Sequence, residues 1–239
     1  ISQLVSFLFI LFKVLKNERV RKITSEYLVP KFLFFKNIFF QSMPISVSIC
    51  GYALAAAIIF TYVGQSGEYA VAGYGVGTRI EQVVLLPILG INTAIISIIA
   101  QNYGANNLVR IKETYFTAIK YAFIIMITAG TLVFLSASVI TSFFSNDPEV
   151  IEYGKRYLKI SAFVLPAYPV FFLSNGFFMA LKKSEMAMIS NFFRNVLNPI
   201  VVFYIAKYID ASFSTFFWIW VGINWFFSIS YFLIIIYYF

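Results

Sequence analysis

The sequence predicts an all-α membrane protein, most of which is a bundle of six transmembrane helices. Hydrophobic residues occupy 61% of its 239 positions and charged residues only 12%, with a mean hydropathy of +0.84. A soluble domain has about 45–50% apolar and about 25% charged residues, so this chain carries too little charge for a surface in water. The apolar residues also form six runs, each long enough to cross about 30 Å of hydrocarbon as a helix.

Short polar stretches between the apolar runs divide the chain into three parts. Residues 1–15 read as the end of a preceding transmembrane helix, because they are apolar from the start and lack the charged beginning of a signal peptide. Residues 16–31 are polar and basic, which favours a cytoplasmic linker between two lobes over an ordinary cytoplasmic loop. Residues 32–239 form the predicted six-helix lobe, with helices at 32–62, 67–101, 107–144, 149–181, 185–207 and 212–239.

The formal net charge of +8 is explained by membrane topology, and no nucleic-acid partner is expected. Eleven lysines and arginines flank residues 16–31 and the loops near residues 105 and 183, against four on the opposite side. Basic residues collect in cytoplasmic loops, so these three stretches are predicted to face the cytoplasm. Both ends of the six-helix lobe then lie on the cytoplasmic side of a multi-pass protein.

The composition argues against an enzyme and against a metal centre. Histidine is absent, and the single cysteine, Cys50, lies within an apolar run. The only aspartates, Asp147 and Asp210, fall in predicted outer loops. A membrane-embedded transferase or hydrolase needs a polar catalytic set near one face, so it is the weaker alternative to a transporter. A third hypothesis is that the protein is a purely structural membrane scaffold.

Glu81 is the only acidic residue well inside a predicted helix, and Arg79 stands two positions before it. A charge at that depth costs roughly 2.5–3.5 kcal/mol on insertion scales, so such residues line cavities or have partners. Residues two apart do not share a helix face, which makes Arg194 of another helix a candidate partner for Glu81. A carboxyl group in a water-filled cleft suits proton or cation coupling. The alternative is a charged network that only holds helices together.

Several uncharged residues at membrane depth complete the candidate set. Gln41, Asn175 and Asn198 are expected either to form hydrogen bonds between helices or to line a cavity. Gly73 and Gly77 form a small-xxx-small face for close helix packing. Their surroundings, GxGxG within a helix, do not match the strand-to-helix fingerprint of nucleotide binding.

Residues 73–112 carry an ordered set of motifs: RIE at 79–81, PxxG at 87–90 and QNYGA at 101–105. This order resembles the eighth helix and the following cytoplasmic loop of the multidrug and toxic compound extrusion (MATE) family. The resemblance covers nearly the whole chain, as the C-terminal six-helix lobe of a two-lobe transporter. The motif residues are Gly73, Gly77, Pro87, Gly90, Gln101, Asn102, Gly104 and Ala105.

The resemblance implies a secondary active antiporter that exports organic cations and drugs in exchange for protons or sodium by alternating access. No cofactor is implied beyond the coupling ion. The implied partners are small organic cations, the lipid bilayer and a missing N-terminal lobe, and the implied location is the bacterial inner membrane. Flippases of lipid-linked oligosaccharides share the fold and are the alternative. Their pyrophosphate-linked substrates call for several inward basic residues, and only Arg79 and Arg194 qualify here.

The chain departs from the family pattern in its carboxylates. Some sodium-coupled members carry one carboxylate in helix seven and another in helix ten. Residues 32–62 contain no acidic residue, and residues 149–181 have only Glu149 and Glu152 at their outer start. Coupling is therefore expected to rest on Glu81 or on a carboxylate of the other lobe.

Overall fold

The computed structural model describes residues 2–16 and 32–238, and every regular element in those ranges is helical. This confirms the all-α class. The chain falls into two compact units, residues 1–43 and 44–239. The first unit contains α1 (Ser2–Leu15) and the beginning of α2 (Phe32–Gly64). Apart from Lys16, the predicted linker lies outside the described residues.

The second unit contains the rest of α2 and seven further helices. These are α3 (Glu68–Gly104), α4 (Leu108–Ser142), α5 (Pro148–Ser161), α6 (Tyr168–Ala180), α7 (Ser184–Phe192), α8 (Asn198–Tyr208) and α9 (Phe213–Tyr238). A 3₁₀ turn, Leu165–Ala167, precedes α6, and a π-helical turn, Phe193–Leu197, joins α7 to α8. The pairs α5–α6 and α7–α8 therefore each form one broken membrane-length segment.

Five segments of the described chain are long and apolar enough to cross a bilayer, and they correspond to five of the six predicted helices. The remaining predicted helix corresponds to α2. The five are α3, α4, Pro148–Ala180, Ser184–Tyr208 and α9. In α2, which has 33 residues, the apolar part identified among described side chains is Cys50–Gly64. Large apolar side chains such as Leu135, which is 74% exposed, cover the outer surface, as a lipid-facing protein requires.

QNYGA was expected to lie in the loop after the helix, and this expectation is wrong for residues 101–104, which form the last turn of α3. The Asn102 amide donates to the carbonyl of Ile98 at 2.8 Å, one turn earlier in the same helix. The chain reverses after Gly104 through Asn106, whose φ of 55° is left-handed. Asn107 then caps α4 by accepting from the backbone N–H of Arg110 at 3.1 Å.

Prolines divide the predicted helix 149–181 into α5 and α6. Pro166 and Pro169 lack the N–H groups that an unbroken helix would use, so carbonyl groups are freed before them. Side chains of α9 donate to two other carbonyl groups at this break. Trp225 donates to the carbonyl of Phe163 at 2.8 Å, and Ser228 donates to that of Ala167 at 3.2 Å. The break is thus stable at membrane depth, where an unpaired carbonyl would be costly.

Helix α3 packs against α4, α5 and α6 and so lies at the centre of the second unit. At Gly73 it lies against the backbone of α5, where an added Cβ would stand 2.7 Å from both the nitrogen of Gly154 and the carbonyl oxygen of Val150. Only glycine allows two helix backbones to come this near. An added Cβ at Gly75, on another face of α3, would meet no atom within 4 Å.

We predict that Gly73→Ala destabilises the protein by about 1–3 kcal/mol, because the new methyl group would push α5 away from α3. Gly75→Ala is the matched control, and it should be neutral or slightly stabilising because alanine is the better helix former. Thermal unfolding of the purified full-length protein in detergent measures both. Equal melting temperatures for the two variants would contradict the packing described here.

Candidate ion and substrate site

Glu81 reaches its position through the spacing of small residues on α3. Gly73, Gly77 and Glu81 are four apart, so they lie on one face of the helix. The ring of Tyr157 from α5 occupies the space where a side chain at position 77 would stand. With that ring against α3, the tyrosine hydroxyl comes level with the carboxylate one helical turn further on.

Both carboxylate oxygens of Glu81 accept hydrogen bonds from buried tyrosines. The Tyr157 hydroxyl donates to Oε2, and the Tyr168 hydroxyl donates to Oε1 at 2.5 Å. Tyr157 is 7% exposed and Tyr168 is 6% exposed, whereas Glu81 is half-buried. Hydrogen bonds to a charged acceptor are about twice as strong as neutral ones. The carboxylate therefore joins α3 to α5 and α6.

An aromatic cluster fixes the orientation of the first tyrosine. Tyr157 meets Tyr74 edge-on, with ring centroids 5.0 Å apart, and meets Phe217 of α9 at 4.9 Å. Tyr74 and Phe217 stack on each other at 5.4 Å. Such pairs contribute about 0.5–1.5 kcal/mol each beyond the burial of their area. The hydroxyl of Tyr157 is thus held at the carboxylate by rings from α3 and α9.

A cavity of about 240 Å³ opens beside Glu81 within the second unit. Aromatic, apolar and polar side chains line it. Its polar and aromatic lining includes Glu81, Tyr157, Tyr168, Arg194, Asn195 and Trp220. Of the described residues, Glu81 is its only lining carboxylate and Arg194 its only lining cation.

Arg194 lies in the π-helical turn and is 8% exposed. Its Nε donates to the side-chain oxygen of Asn224 at 3.2 Å, and its guanidinium carbon lies 4.1 Å from the ring centroid of Phe171 and 4.8 Å from that of Tyr168. The expected pairing with Glu81 is not what the structure shows. Among the described residues, no ion pair joins these two side chains, and the donors at the carboxylate oxygens are the two tyrosine hydroxyls.

The other candidate residues lie in different surroundings. Arg79 is exposed and does not line the cavity. Asn175 is buried, donates to the carbonyl of Phe171 at 3.1 Å and accepts from the Tyr231 hydroxyl at 3.4 Å, so it joins α6 to α9. Asn198 is fully buried, and neither polar atom of its amide has a hydrogen-bond partner among the described residues. The side chain of Gln41 lies outside the described part of the structure.

The motif residues divide by position along α3. Gly73 and Gly77 make the close contacts with α5. Further along, Pro87 and Gly90 are exposed, and a Cβ on Gly90 would meet no described atom within 4 Å. The remaining members lie exposed or half-buried at the end of the helix; they are Gln101, Asn102, Gly104 and Ala105.

Tyr157, Tyr168 and Asn195 line the cavity but were not among the residues expected from the sequence. With 16 tyrosines in the chain, composition alone could not single out the two that bind Glu81. The available signal was that Gly154 and Tyr157, three apart, share one face of α5, as Gly73 and Gly77, four apart, share one face of α3. Asn195 follows Arg194 directly, and its position in the cavity depends on the π-helical turn. No sequence pattern predicted that turn.

Comparison with known proteins assigns the family. The MatE family model matches residues 44–204. YpnP of Bacillus subtilis, a probable multidrug resistance protein, is 24% identical over 222 residues, which cover 93% of this chain and 47% of that protein. A FAD transporter of Shewanella oneidensis is 26% identical over 158 residues, which cover 66% of this chain and 35% of that protein. This chain therefore spans less than half the length of either relative.

Solved structures share the fold. A crystal structure of MATE in complex with MaL6 matches with a TM-score of 0.86 at 23% identity, over 97% of this chain and 53% of that chain. The family match confirms the resemblance seen in residues 73–112, and it agrees with the expectation that the protein is not an enzyme. Since the match covers most of the six-helix part, the chain belongs to the MatE family.

Proposed function

We propose that the chain is part of a secondary antiporter of the bacterial plasma membrane that exports organic cations and related drugs in exchange for protons or sodium. The observation that carries this proposal is Glu81, a membrane-depth carboxylate at the wall of an aromatic cavity. A flat organic cation gains both from a nearby carboxylate and from aromatic faces such as those of Trp220 and Phe172, which also line the cavity.

Exchange follows from competition for the same carboxylate. As an anion, Glu81 accepts from Tyr157 and Tyr168 and attracts a cationic substrate. When a proton binds one carboxylate oxygen, that oxygen becomes a hydrogen-bond donor and accepts less well from a tyrosine hydroxyl. The attraction for the substrate falls at the same moment. Ion binding and substrate binding would then exclude each other, as antiport requires.

The same hydrogen bonds suggest how ion binding changes conformation. Glu81 joins α3 to α5 and α6, and the break between α5 and α6 allows these two helices to move separately. Weakening either tyrosine contact would therefore bias the packing of the three helices. In the proposed whole protein, that bias would favour one side of the alternating-access cycle, together with an N-terminal lobe linked through residues 16–31.

The cavity lining favours drug export over flipping of a lipid-linked oligosaccharide. A pyrophosphate-linked lipid would need several inward cations, and Arg194 is the only cation among the described lining residues. Arg79, the other basic residue considered, is exposed outside the cavity. The relative named as a multidrug resistance protein supports the same choice.

We predict that Glu81→Gln in the full-length protein reduces dye efflux to near background while the protein is still produced. Glutamine keeps the size of the side chain but cannot exchange a proton or hold a sodium ion by charge. Efflux of a cationic dye from cells, driven by an imposed proton gradient or an imposed sodium gradient in separate runs, measures the effect and identifies the ion.

The matched control is Glu113→Gln, the same substitution at an exposed carboxylate of α4. Its efflux should equal that of the unmodified protein. Unchanged efflux in Glu81→Gln would reject a role of this residue in coupling. Loss of the folded protein in Glu81→Gln alone would show instead that Glu81 mainly holds the helices together.

We further predict that Tyr157→Phe and Tyr168→Phe each lower the free energy of unfolding by about 1.5–3 kcal/mol, the value of a hydrogen bond to a charged group. Tyr74→Phe is the control, because the Tyr74 hydroxyl has no hydrogen bond to a described residue while its ring belongs to the same cluster. Thermal unfolding in detergent measures the loss. In combination with Glu81→Gln, each tyrosine substitution should cost less than alone; full additivity would show that the contacts are energetically independent.

A further inference from the structure

The structure assigns a second binding element to the cavity: Arg194, together with the neighbouring Asn195, forms a subsite for an oxyanion. This inference rests on the proposed export function and specifies its substrates. We propose that the carboxylate or phosphate group of a flat aromatic substrate binds Arg194.

The first support is the burial of an incompletely paired charge. Arg194 is 8% exposed, and a guanidinium has five N–H donors. Only Nε has a partner among the described residues, the oxygen of Asn224. The two terminal nitrogens, with four donors, make no hydrogen bond to a described side chain or backbone group. The terminal nitrogens are not among the fully buried unpaired atoms of the described residues, so they remain open to an acceptor.

The second support is that the geometry holds the guanidinium ready for such a ligand. The rings of Phe171, Tyr168 and Phe172 lie 4.1, 4.8 and 5.5 Å from its central carbon, and Asn224 fixes its Nε edge. Asn224 is itself fixed by donating to the carbonyl of Trp220 at 2.9 Å. A planar fork with one edge anchored presents its terminal nitrogens as a pair, which matches the two oxygens of a carboxylate or phosphate.

Asn195 adds an independent polar observation at the same wall. It is 4% exposed and lines the cavity, and its amide nitrogen is a buried donor without a partner in the described part of the chain. Arg194 and Asn195 are thus consecutive residues of the π-helical turn that both line this cavity. π-helical turns often occur at functional sites, because the extra residue turns side chains to a new direction.

Glu81 does not supply the missing acceptor. It shares the cavity and balances the charge there, but in the described part of the chain it makes no ion pair with Arg194, and its donors are Tyr157 and Tyr168. The ring of Tyr168 also lies against the guanidinium, so the tyrosine contacts both charges. The cavity thus offers one anionic and one cationic group, each on an aromatic wall. A zwitterionic aromatic molecule fits this arrangement better than a simple cation.

A matched pair of dyes tests the inference in the purified full-length protein. Rhodamine 110 carries a free carboxylate, and rhodamine 123 is its methyl ester with the same ring system. We expect Arg194→Gln to weaken binding of rhodamine 110 by about tenfold or more, the loss of a hydrogen bond between charged groups. Binding of rhodamine 123, measured by fluorescence polarisation in the same preparation, should change less than about twofold. The ratio of the two affinities does not depend on the fraction of folded protein.

Two further variants separate recognition from folding. Arg194→Lys keeps the positive charge but loses the planar fork, so it should retain only part of the preference for the acid over the ester. Arg79→Gln removes an exposed arginine outside the cavity and should leave both affinities unchanged. Equal weakening of both dyes in Arg194→Gln, or no weakening of either, would overturn the anion subsite while leaving the export proposal in place. If the unmodified protein binds neither dye, the export proposal fails, and this inference fails with it.

Discussion

The candidate site depends on one steric constraint, the close approach of α5 to α3 at Gly73 and Gly77. An added Cβ at Gly73 would lie 2.7 Å from backbone atoms of α5, and the Tyr157 ring fills the space beside Gly77. Glu81 is the next residue on the same face, so the distance between the two backbones determines whether the Tyr157 hydroxyl reaches its carboxylate. Glycine therefore contributes here through the volume that it leaves to a neighbouring ring.

Irregular backbone places the other half of the site. The proline-containing break before α6 places Tyr168 at Glu81, and the π-helical turn between α7 and α8 places Arg194 and Asn195 at the cavity. Non-helical geometry at membrane depth is tolerated where freed polar groups find partners or line a cavity. Trp225 and Ser228 of α9 supply such partners at the break. The deviations from regular helix thus coincide with the residues proposed to bind ion and substrate.

The sequence was sufficient to predict the helices and to single out Glu81 as a carboxylate at membrane depth. It was insufficient to predict which side chains contact Glu81. Long apolar runs predict helices because the bilayer leaves the backbone few alternatives, and a single deep carboxylate stands out against them. Tyr157 and Tyr168 did not stand out, because tyrosine is common in this chain and its hydroxyl matters only at a specific distance. The expected pairing of Arg194 with Glu81 was wrong because opposite charge does not show how far apart two helices hold their side chains, and Arg194 donates to Asn224 instead. The proposed roles of these residues in transport remain predictions.

Tyr168 gives the two proposed subsites a physical connection. Its hydroxyl donates to Glu81, and its ring lies 4.8 Å from the guanidinium carbon of Arg194. A ligand oxyanion that draws the guanidinium away from this ring would change the packing that orients the hydroxyl, and protonation of Glu81 would do so from the opposite side. Because coupling between two sites is reciprocal, the ion and the anionic group of a substrate would then affect each other's binding by the same factor. One shared tyrosine would in this way make a zwitterion sensitive to the coupling ion at both of its charges.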